Sequence, residues 1–364
     1  MYRLLSKTTI FMAVILIVGC GTSTQVKVLK PAELDVGMVK KVAVLDFEFR
    51  GNWDFAGGIE LPKTLKALGQ TLLKQALSAE KSLDPLTAYP GKEISDMLVA
   101  RLVNNKYYTV VERDQISKVL EEQALSLSGV IDETQAAEIG KLVGAEGLVM
   151  GSGSYSVKDF GKWETYTVKK KEMKRYRISR QVDVKITFKI VNVTTGSIVV
   201  SKTNAMANGQ NGRVSAKYST TANTEAEALK SIPDWRPIVD DMVNGILNQT
   251  IRQVAPHYVT ESRAIEEGDS KTMAAAVEYA KRSLWEDARS LWEEVIEDPQ
   301  ADPEDQAAAT YNIGLYYEIH GQLDEAETFF DKSFRMSGNS DYLDAKARID
   351  QRRKELIRLK AQQK

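Results

Sequence analysis

A single cysteine, Cys20, follows a short apolar run at the start of this 364-residue chain. The run covers residues 10–18, and the positively charged Arg3 and Lys7 precede it. A charged segment, a short apolar segment and a small residue before the cut are the three parts of a secretory signal. The apolar run is shorter than the roughly 18 to 20 residues that span a bilayer. We therefore predict that residues 1–19 are a signal peptide that takes no part in the fold.

The position of Cys20 directly after Gly19 resembles the bacterial lipobox, in which the cysteine is acylated and becomes the new N-terminus. Several acyl chains hold a protein at a membrane without a spanning helix, because each buried methylene contributes about 0.8 kcal/mol. Gly21 stands where an aspartate would favour the inner membrane, so we expect a periplasm-facing protein anchored in the outer membrane. An ordinary signal peptide with a chance cysteine, or an anchor helix, is the alternative.

Composition excludes several classes of protein. At 43% hydrophobic and 27% charged residues, the chain has enough apolar material for two or three packed domains. Its net charge of −1 gives no sign of nucleic-acid binding. The two histidines, His257 and His320, lie far apart, so neither a zinc site nor histidine-dependent catalysis is predicted. We expect a non-enzymatic protein with no catalytic residues, no metal and no cofactor.

Strand and helix patterns alternate after a polar tether, which we place at residues 20–40. Asp132 and Gly144 have the residue types that start and end a helix. Residues 51–58 are glycine-rich and indicate a loop. The order of the elements predicts α/β layers. Strands are predicted at residues 41–47, 107–111 and 147–151, and helices at residues 61–79, 92–104, 115–123, 133–143 and 237–255.

The pair Gly151 and Gly153, on either side of Ser152, is a weak match to a dinucleotide-binding loop. The third glycine of that motif is missing, and no helix pattern follows. Glycines in a strand more often mark a place where another part of the chain comes close to the backbone. We predict close packing at this position.

Several segments together resemble the curli-secretion lipoprotein family (CsgG-like). The resemblance runs from about Lys41 to Tyr258, and residues 62–90 look like an insertion relative to the family. It implies a layered CsgG-like α/β domain with β-hairpin extensions over residues 41–258. The segments that carry it are residues 42–47, 110–113, 116–123, 127–129, 137–145, 148–151 and 191–198.

In the best-known members of that family, a ring of subunits forms an outer-membrane channel to which each subunit contributes two β-hairpins. The candidates here are Ser154–Ile190 and Ser197–Ala222. Residues 182–190 alternate between apolar and polar side chains, but a Lys or Arg facing lipid near the midplane costs about 2 to 4 kcal/mol. The second candidate is rich in Asn, Gly, Gln, Ser and Thr. The cations expected to crowd the first tip are Lys158, Lys162, Lys169, Lys170, Lys171, Lys174, Arg175, Arg177 and Arg180.

We therefore predict hairpins that stay in water, packed on the sheet at their bases and projecting polar tips. Two alternatives are that the basic tip docks on anionic headgroups, or that a lumen-facing surface carries the charge.

Helical periodicity fills residues 266–364, which we expect to be all-α. Residues 310–334 resemble a tetratricopeptide repeat, and a weaker copy lies at residues 275–292. Residues 340–360 fit a capping helix. The residues that carry the resemblance are Ile313, Gly314, Tyr317, Gly321, Ala326 and Phe330, with Ala275, Ala276, Tyr279, Ala288 and Trp292 in the weaker copy. The capping helix has Leu343, Ala347, Leu356 and Leu359 as its apolar residues.

Repeats of this kind usually bind peptides or other proteins. We predict a docking groove that includes Tyr311, Leu315 and Glu318. The alternative is a helical appendage with a purely structural role.

These features favour a lipid-anchored periplasmic accessory protein that assists secretion or assembly of surface or envelope proteins. Its expected partners are the membrane, through acyl chains on Cys20, and envelope or secreted proteins, with a homo-oligomer as an option and no nucleic acid. One alternative is an oligomeric outer-membrane secretion channel. The other is a lipoprotein regulator of a cell-wall synthase.

Replacing Cys20 with serine tests the anchor. Serine removes the thiol on which the lipid is built, so we expect metabolic palmitate labelling of the chain to be lost. The Gly21→Ala variant keeps the thiol and should label like the wild type. Equal labelling of Cys20→Ser and the wild type would contradict the anchor.

Overall fold

A computed structural model describes residues 22–37, 39–55, 91–112, 115–116, 118, 132–210 and 213–363. The chain divides into two compact units. Among the described residues, the sheet unit takes those of 30–257 and 359–363, and the helical unit takes those of 22–29 and 258–358. A mixed α/β region followed by a helical region confirms the predicted fold class at this coarse level.

The elements of the described residues are numbered in chain order. The strands are β1 (Ser23–Lys30), β2 (Lys41–Val44), β3 (Glu48–Phe55), β4 (Thr109–Val110), β5 (Gly147–Val168), β6 (Lys171–Asn192), β7 (Ile198–Ala207), β8 (Gly209–Gln210), β9 (Arg213–Val214), β10 (Ser219–Ala222) and β11 (His257–Ala264). The helices are α1 (Gly91–Asn105), α2 (Glu133–Leu142), α3 (Glu225–Ser231), α4 (Trp235–Val254), α5 (Lys271–Lys281), α6 (Trp285–Glu297), α7 (Pro303–Ile319), α8 (Leu323–Ser337) and α9 (Ser340–Gln363).

The sheet unit is built on one long antiparallel hairpin, β5–β6. The two strands pair along their whole length, from Gly147 opposite Asn192 to Val168 opposite Lys171. The strand order is β10-β6-β5-β2-β4, with β3 also paired to β5 and β7 also paired to β6. β2 and β3 run parallel to successive parts of β5. The base of the hairpin therefore forms the centre of the sheet, and the end near its turn extends beyond the neighbouring strands.

The loop predicted at residues 51–58 is wrong for residues 51–55, which belong to β3. Gly51 permits this pairing because the Tyr155 ring lies above it, where a Cβ atom would come within 2.2 Å of the ring. Its glycine signalled a close approach to a neighbouring strand and not a turn.

Alternate residues of β6 point to opposite faces of the sheet, as the period of a strand requires. On one face, which we call the covered face, side chains pack against α1 and α4. The α4 stripe predicted from the sequence is buried there, although the helix begins at Trp235, capped by Asp234, and not at Pro237. The buried β6 residues of this face are Tyr176, Ile178, Arg180, Val182, Val184, Ile186, Phe188 and Ile190.

The other face is covered only at its base, by α2. Ala136 and Ile139 of α2 pack with Leu148 and Val191 of the hairpin. Asp132 accepts hydrogen bonds from Thr134 N and Gln135 N at 2.9 and 2.8 Å, which confirms the predicted N-cap. Beyond Met150, no helix of the described residues lies over this face. We call that part of the sheet the open face.

The glycines around Ser152 have the packing role predicted for them. A Cβ atom on Gly151 would lie 2.1 Å from the Phe47 ring, and one on Gly153 would lie 2.5 Å from the Lys185 carbonyl oxygen. Side chains at these two positions would separate β5 from its neighbours.

The long strands of the second predicted hairpin, Ser197–Ala222, do not form it, although the short strands β8 and β9 within this range pair with each other. β7 and β10 do not pair with each other; both pair with β6, at Asp183–Val191 and Tyr176–Ser179 respectively. Its polar residues fit this arrangement because β7 and β10 lie at the edge of the sheet, where most of their residues are at least partly exposed.

The polar tether predicted at residues 20–40 is wrong for most of its length. Ser23–Lys30 forms β1, which pairs with β11. Farther along, Ala32, Val36 and Val39 are buried in the sheet unit. The Ser, Thr and Pro content of the segment suggested a tether. Its few apolar residues are nevertheless spaced so that they reach a core.

In the helical unit, α5 and α6 form one helix pair and α7 and α8 form a second. Ala288, Trp292, Ala326 and Phe330 are fully buried between helices, as the sequence predicts. Gly314 allows close contact, since a Cβ atom there would lie 2.8 Å from the Phe330 ring. Tyr279, predicted to be inside, is 41% exposed.

The apolar face of α9 differs from the predicted one. Leu343, Ala347 and Leu356 are exposed, whereas Tyr342, Ala345 and Ile349 are buried against α7 and α8. The buried residues follow the three-to-four spacing of a helix, one position away from the predicted stripe. The prediction was wrong because it assigned the leucines to the apolar face, whereas an aromatic residue, Tyr342, and a small residue, Ala345, occupy it. Leu359 is buried, as predicted.

Asp305, near the start of α7, supplies the acceptor for the start of α5. Its two carboxylate oxygens accept hydrogen bonds from Asp269 N at 2.9 Å and Ser270 N at 3.0 Å. Burial alone would raise the pKa of Asp305, but the hydrogen bonds from Ser270 and Asp269 outweigh it and hold the pKa below its usual 3.8.

Replacing Asp305 with alanine should destabilise the helical unit by about 1 to 3 kcal/mol at pH 7, because two partly buried N–H groups at the start of α5 lose their charged acceptor. The free energy of unfolding in urea measures this. A lowered pKa means that the carboxylate stabilises the fold fully above the unfolded pKa and progressively less as pH falls through the folded pKa. The difference between Asp305→Ala and wild type should therefore shrink in acid. Asp344→Ala, at an exposed position on α9, is the control; an equal loss in both variants would contradict this role.

Candidate functional site

The candidate lipidation site, Cys20, lies outside the described residues. The residues predicted for a docking groove, Tyr311, Leu315 and Glu318, are all described, and all three lie on α7. Their surroundings decide whether they can contact a partner.

Tyr311 and Leu315 are core residues, and the docking groove predicted on them is wrong. Tyr311 is 4% exposed and stacks on Tyr342, with 4.7 Å between ring centroids. Leu315 is fully buried in the cluster formed with α5 and α6. The physical reason is that α7 packs against α6 on one side and against α8 on the other. Almost its whole circumference is therefore inside the unit.

Glu318 is the centre of an ion cluster. It accepts a hydrogen bond from Arg263 at 2.8 Å and two from Arg348 at 2.9 and 2.7 Å. Its side chain is only 9% exposed. A carboxylate held by two guanidinium groups organises its own unit and is not available to a partner.

The open face is a candidate binding surface of the sheet unit. On β5 and β6 it begins above Met150, and it extends over β3 and β7. Hydroxyl and cationic side chains dominate it, so it offers mainly hydrogen-bond donors. Its cations are Arg50, Lys158, Lys162, Lys171, Arg175, Arg177, Lys185 and Lys189, and its acids are Glu48, Glu164 and Asp183.

A groove of about 310 Å³ lies in the open face where β3, β5 and β6 run side by side. Arg50 from β3 and Lys185 from β6 line it, and Arg50 is 84% exposed, with a nitrogen 3.8 Å from a Glu48 oxygen. Two cations and several hydroxyls within one groove suit a ligand that carries carboxylate groups. The full lining is Glu48, Arg50, Ser152, Gly153, Ser154, Lys185 and Thr187.

Sequence reasoning did not identify this groove. Lys185 was visible as a polar position in an alternating strand, but Arg50 precedes a segment predicted to be a loop. Only the parallel pairing of β3 with β5 brings Arg50, Ser154 and Lys185 together.

A buried ion pair holds the middle of the hairpin. Arg180 donates two hydrogen bonds to the Asp159 carboxylate, both 2.8 Å long, and a third to the Pro233 carbonyl oxygen at 2.7 Å. Both side chains are almost fully buried on the covered face. The prediction that Arg180 belongs to the basic tip is therefore wrong, because strand alternation turns it inward.

A second acid moderates the charge of the hairpin on the open face. Glu164 accepts a hydrogen bond from Arg177 at 2.8 Å and lies 3.4 Å from both Arg175 and Lys162. The hydrogen bond from Arg177 is the main reason that the pKa of Glu164 lies below its usual value. The carboxylate therefore stays ionised and reduces the repulsion among these cations.

The described residues contain neither a metal-binding cluster nor a membrane-spanning helix. No three His, Cys, Asp or Glu side chains within them are grouped so that they could hold a metal ion. None of the described helices combines the length and the apolar character that a membrane crossing requires.

The arrangement of β5–β10 around a central hairpin lies within the region that a family model recognises. The family model of the curli production assembly/transport component CsgG matches residues 69–228. The match covers less than half of the chain and supports the predicted resemblance over that range. A second model, a domain of unknown function named DUF6340, matches residues 274–357. The tetratricopeptide assignment of this region stays a prediction. No curated protein matches the chain.

Several solved structures are similar to this chain. The LpoB C-terminal domain from Salmonella enterica is 18% identical, with 48% of this chain and 87% of that chain covered and a TM-score of 0.27. The PelC dodecamer from Paraburkholderia phytofirmans is 12% identical, with 65% and 99% covered and a TM-score of 0.25. Lipoprotein GNA1162 from Neisseria meningitidis is 10% identical, with 57% and 99% covered and a TM-score of 0.24. At these TM-scores the likenesses support no conclusion about binding or assembly.

Replacing Asp159 with alanine tests the buried pair. The change leaves the Arg180 charge buried without its partner, so we expect a loss of about 3 to 5 kcal/mol in the free energy of unfolding. Glu164→Gln, in the partly exposed cluster of the same hairpin, should cost at most about 1 kcal/mol.

The double replacement Asp159→Leu with Arg180→Met removes both charges and should recover much of the loss. Equal destabilisation by Asp159→Ala and Glu164→Gln would show that the buried pair does not hold the hairpin.

Proposed function

We propose that this chain is a lipid-anchored accessory protein of the bacterial outer membrane that assists the secretion or assembly of surface proteins by binding them. Two features support the proposal. Cys20 stands in a lipobox-like sequence, and the CsgG family model matches residues 69–228. Both point to the cell envelope.

The open face carries this proposal. The helices α1 and α4 pack on the covered face and hold the sheet in place, so the groove side chains start from a fixed backbone. A preformed donor surface loses little entropy when it binds. The groove, with Arg50 and Lys185 on opposite strands, fits an acidic segment of a partner protein. Electrostatic attraction of this kind sets orientation and association rate more than affinity.

The helical unit would act as a second binding module in this function. The two helix pairs pack closely at Gly314 and Ala326, as is typical of tetratricopeptide-like repeats. Repeats of that kind commonly bind other proteins, which supports the proposed function. With Tyr311 and Leu315 in the core, a client would contact other residues. Tyr279 and Leu284 are the exposed apolar residues of the α5–α6 region.

One observation disfavours the channel alternative. Along residues 176–190 of β6, the apolar side chains are packed on α3 and α4, and the other side of the strand carries Arg177, Lys185 and Lys189. In this conformation neither side of residues 176–190 offers lipid an apolar surface. The alternative of a cell-wall synthase regulator would be separated from the proposal by the identity of the captured partner.

Photo-crosslinking in cells tests the proposed docking surface. A photoreactive residue at Ser154, in the groove, should yield a crosslinked envelope protein, and the charge reversals Arg50→Glu with Lys185→Glu should abolish that adduct. The same photoreactive residue at Glu138, exposed on α2, is the matched control.

Identical adducts at Ser154 and Glu138 would contradict a specific groove. An adduct at Ser154 that survives both charge reversals would contradict recognition of an acidic segment.

A further inference from the structure

The tip of the β5–β6 hairpin, which we define as Trp163–Arg175, extends beyond the helices of the covered face. The last hairpin residues packed under α3 are Tyr176 and Ile178, in contact with Ala228. Closer to the turn, both faces of the hairpin reach solvent: Trp163 on one face is 49% exposed, and Met173 on the other is 44% exposed. The tip is therefore bare on two sides, unlike the rest of the sheet.

The tip combines clustered positive charge with exposed apolar side chains. Val168, 44% exposed, and Met173 lie beside four exposed lysines. The whole chain has a net charge of −1, so this concentration of cations is local and not a property of the protein as a whole. The four lysines are Lys169, Lys170, Lys171 and Lys174.

The turn itself uses lysine where other residues fit better. Lys169 and Lys170 have φ angles of 48° and 64°. Two-residue hairpin turns with positive φ at both positions strongly prefer Asn-Gly or Asp-Gly, because other side chains crowd the backbone there. Two lysines at these positions strain the backbone and place two positive charges at the outermost point of the hairpin. Strain of this kind often marks a functional site.

We propose that the tip binds the anionic headgroups of a phospholipid membrane surface. Lysines attracted to headgroup phosphates, with Trp163, Val168 and Met173 entering the interface between them, are the combination by which peripheral segments bind membranes. Tryptophan prefers the headgroup level of a bilayer. A headgroup layer surrounds an inserted loop on all sides, which accounts for exposed apolar residues on both faces of the tip. A docked protein would cover one face.

This site is independent of both the acyl anchor and the groove. It would give the protein a second contact with a membrane surface without a spanning segment. Its failure would leave the proposed function intact, because that function depends on Cys20 and on the groove residues Arg50 and Lys185.

Vesicle cosedimentation tests the site with residues 21–364, which retain every described residue and carry no lipid. We expect binding to vesicles of phosphatidylcholine mixed with phosphatidylglycerol, and little binding to phosphatidylcholine alone. Each lysine near an anionic surface contributes about fivefold to affinity, so replacing Lys169, Lys170, Lys171 and Lys174 with glutamine should weaken binding about a hundredfold or more. Val168→Ser with Met173→Ser, which keeps the charge, should weaken it roughly tenfold.

The matched control replaces four exposed lysines elsewhere, Lys92, Lys202, Lys332 and Lys354, with glutamine and should bind the mixed vesicles like the wild type. All the substituted positions are exposed, and circular dichroism melting would verify the fold of each variant. Equal losses in the tip and control variants would overturn the site, since binding would then follow overall charge. Failure of the wild type to prefer anionic vesicles would also overturn it, and tip-dependent binding of polyglutamate in that case would assign the tip to an acidic protein.

Discussion

The strict alternation of β6 between two different surroundings is the constraint on which the sheet unit depends. Because successive side chains of a strand point to opposite faces, a shift of one residue would bury Lys185 and expose Ile186. The register with β5, β7 and β10 is thereby determined along the whole strand. The same alternation places Arg180 among apolar residues, where the two hydrogen bonds that it donates to the Asp159 carboxylate offset the cost of burying its charge. The core, the groove and the tip all depend on the register of this one strand.

Local patterns predicted the elements whose signals are local. The stripe of α4, the Asp132 cap of α2 and the close approaches at Gly151 and Gly153 were all visible in the sequence, because spacing and residue type determine them. The pairings of β3, β7 and β10 were not, since each depends on a distant strand and carries little apolar alternation of its own. Gly51 shows the difficulty: glycine marks turns and tight strand contacts alike, and only the partner, Tyr155, distinguishes them.

The candidate sites show the same division. The basic character of the hairpin could be predicted from composition, but which cations face outward could not be known without the register. Tyr311 and Leu315 were chosen because aromatic and apolar residues on a repeat helix suit a docking groove, yet the same residue types fill a core. Burial decides between the two roles, and burial depends on α6 and α8 packing on both sides of α7. What the geometry leaves outside is a donor-rich sheet face and a cationic tip.

Hydrogen exchange along β6 tests the central claim most directly. The long hairpin folds in water against the rest of the sheet unit: α3 and α4 cover one face of β6, and β7 and β10 pair with its edge. In buffer without detergent, lipid or partner, amides at residues 176–190 should therefore be protected to the same degree as those in the centre of α4. Exchange at residues 176–182 as fast as at the Lys169–Lys170 turn would show that the outer hairpin is unformed without a membrane or a partner, and would contradict the account.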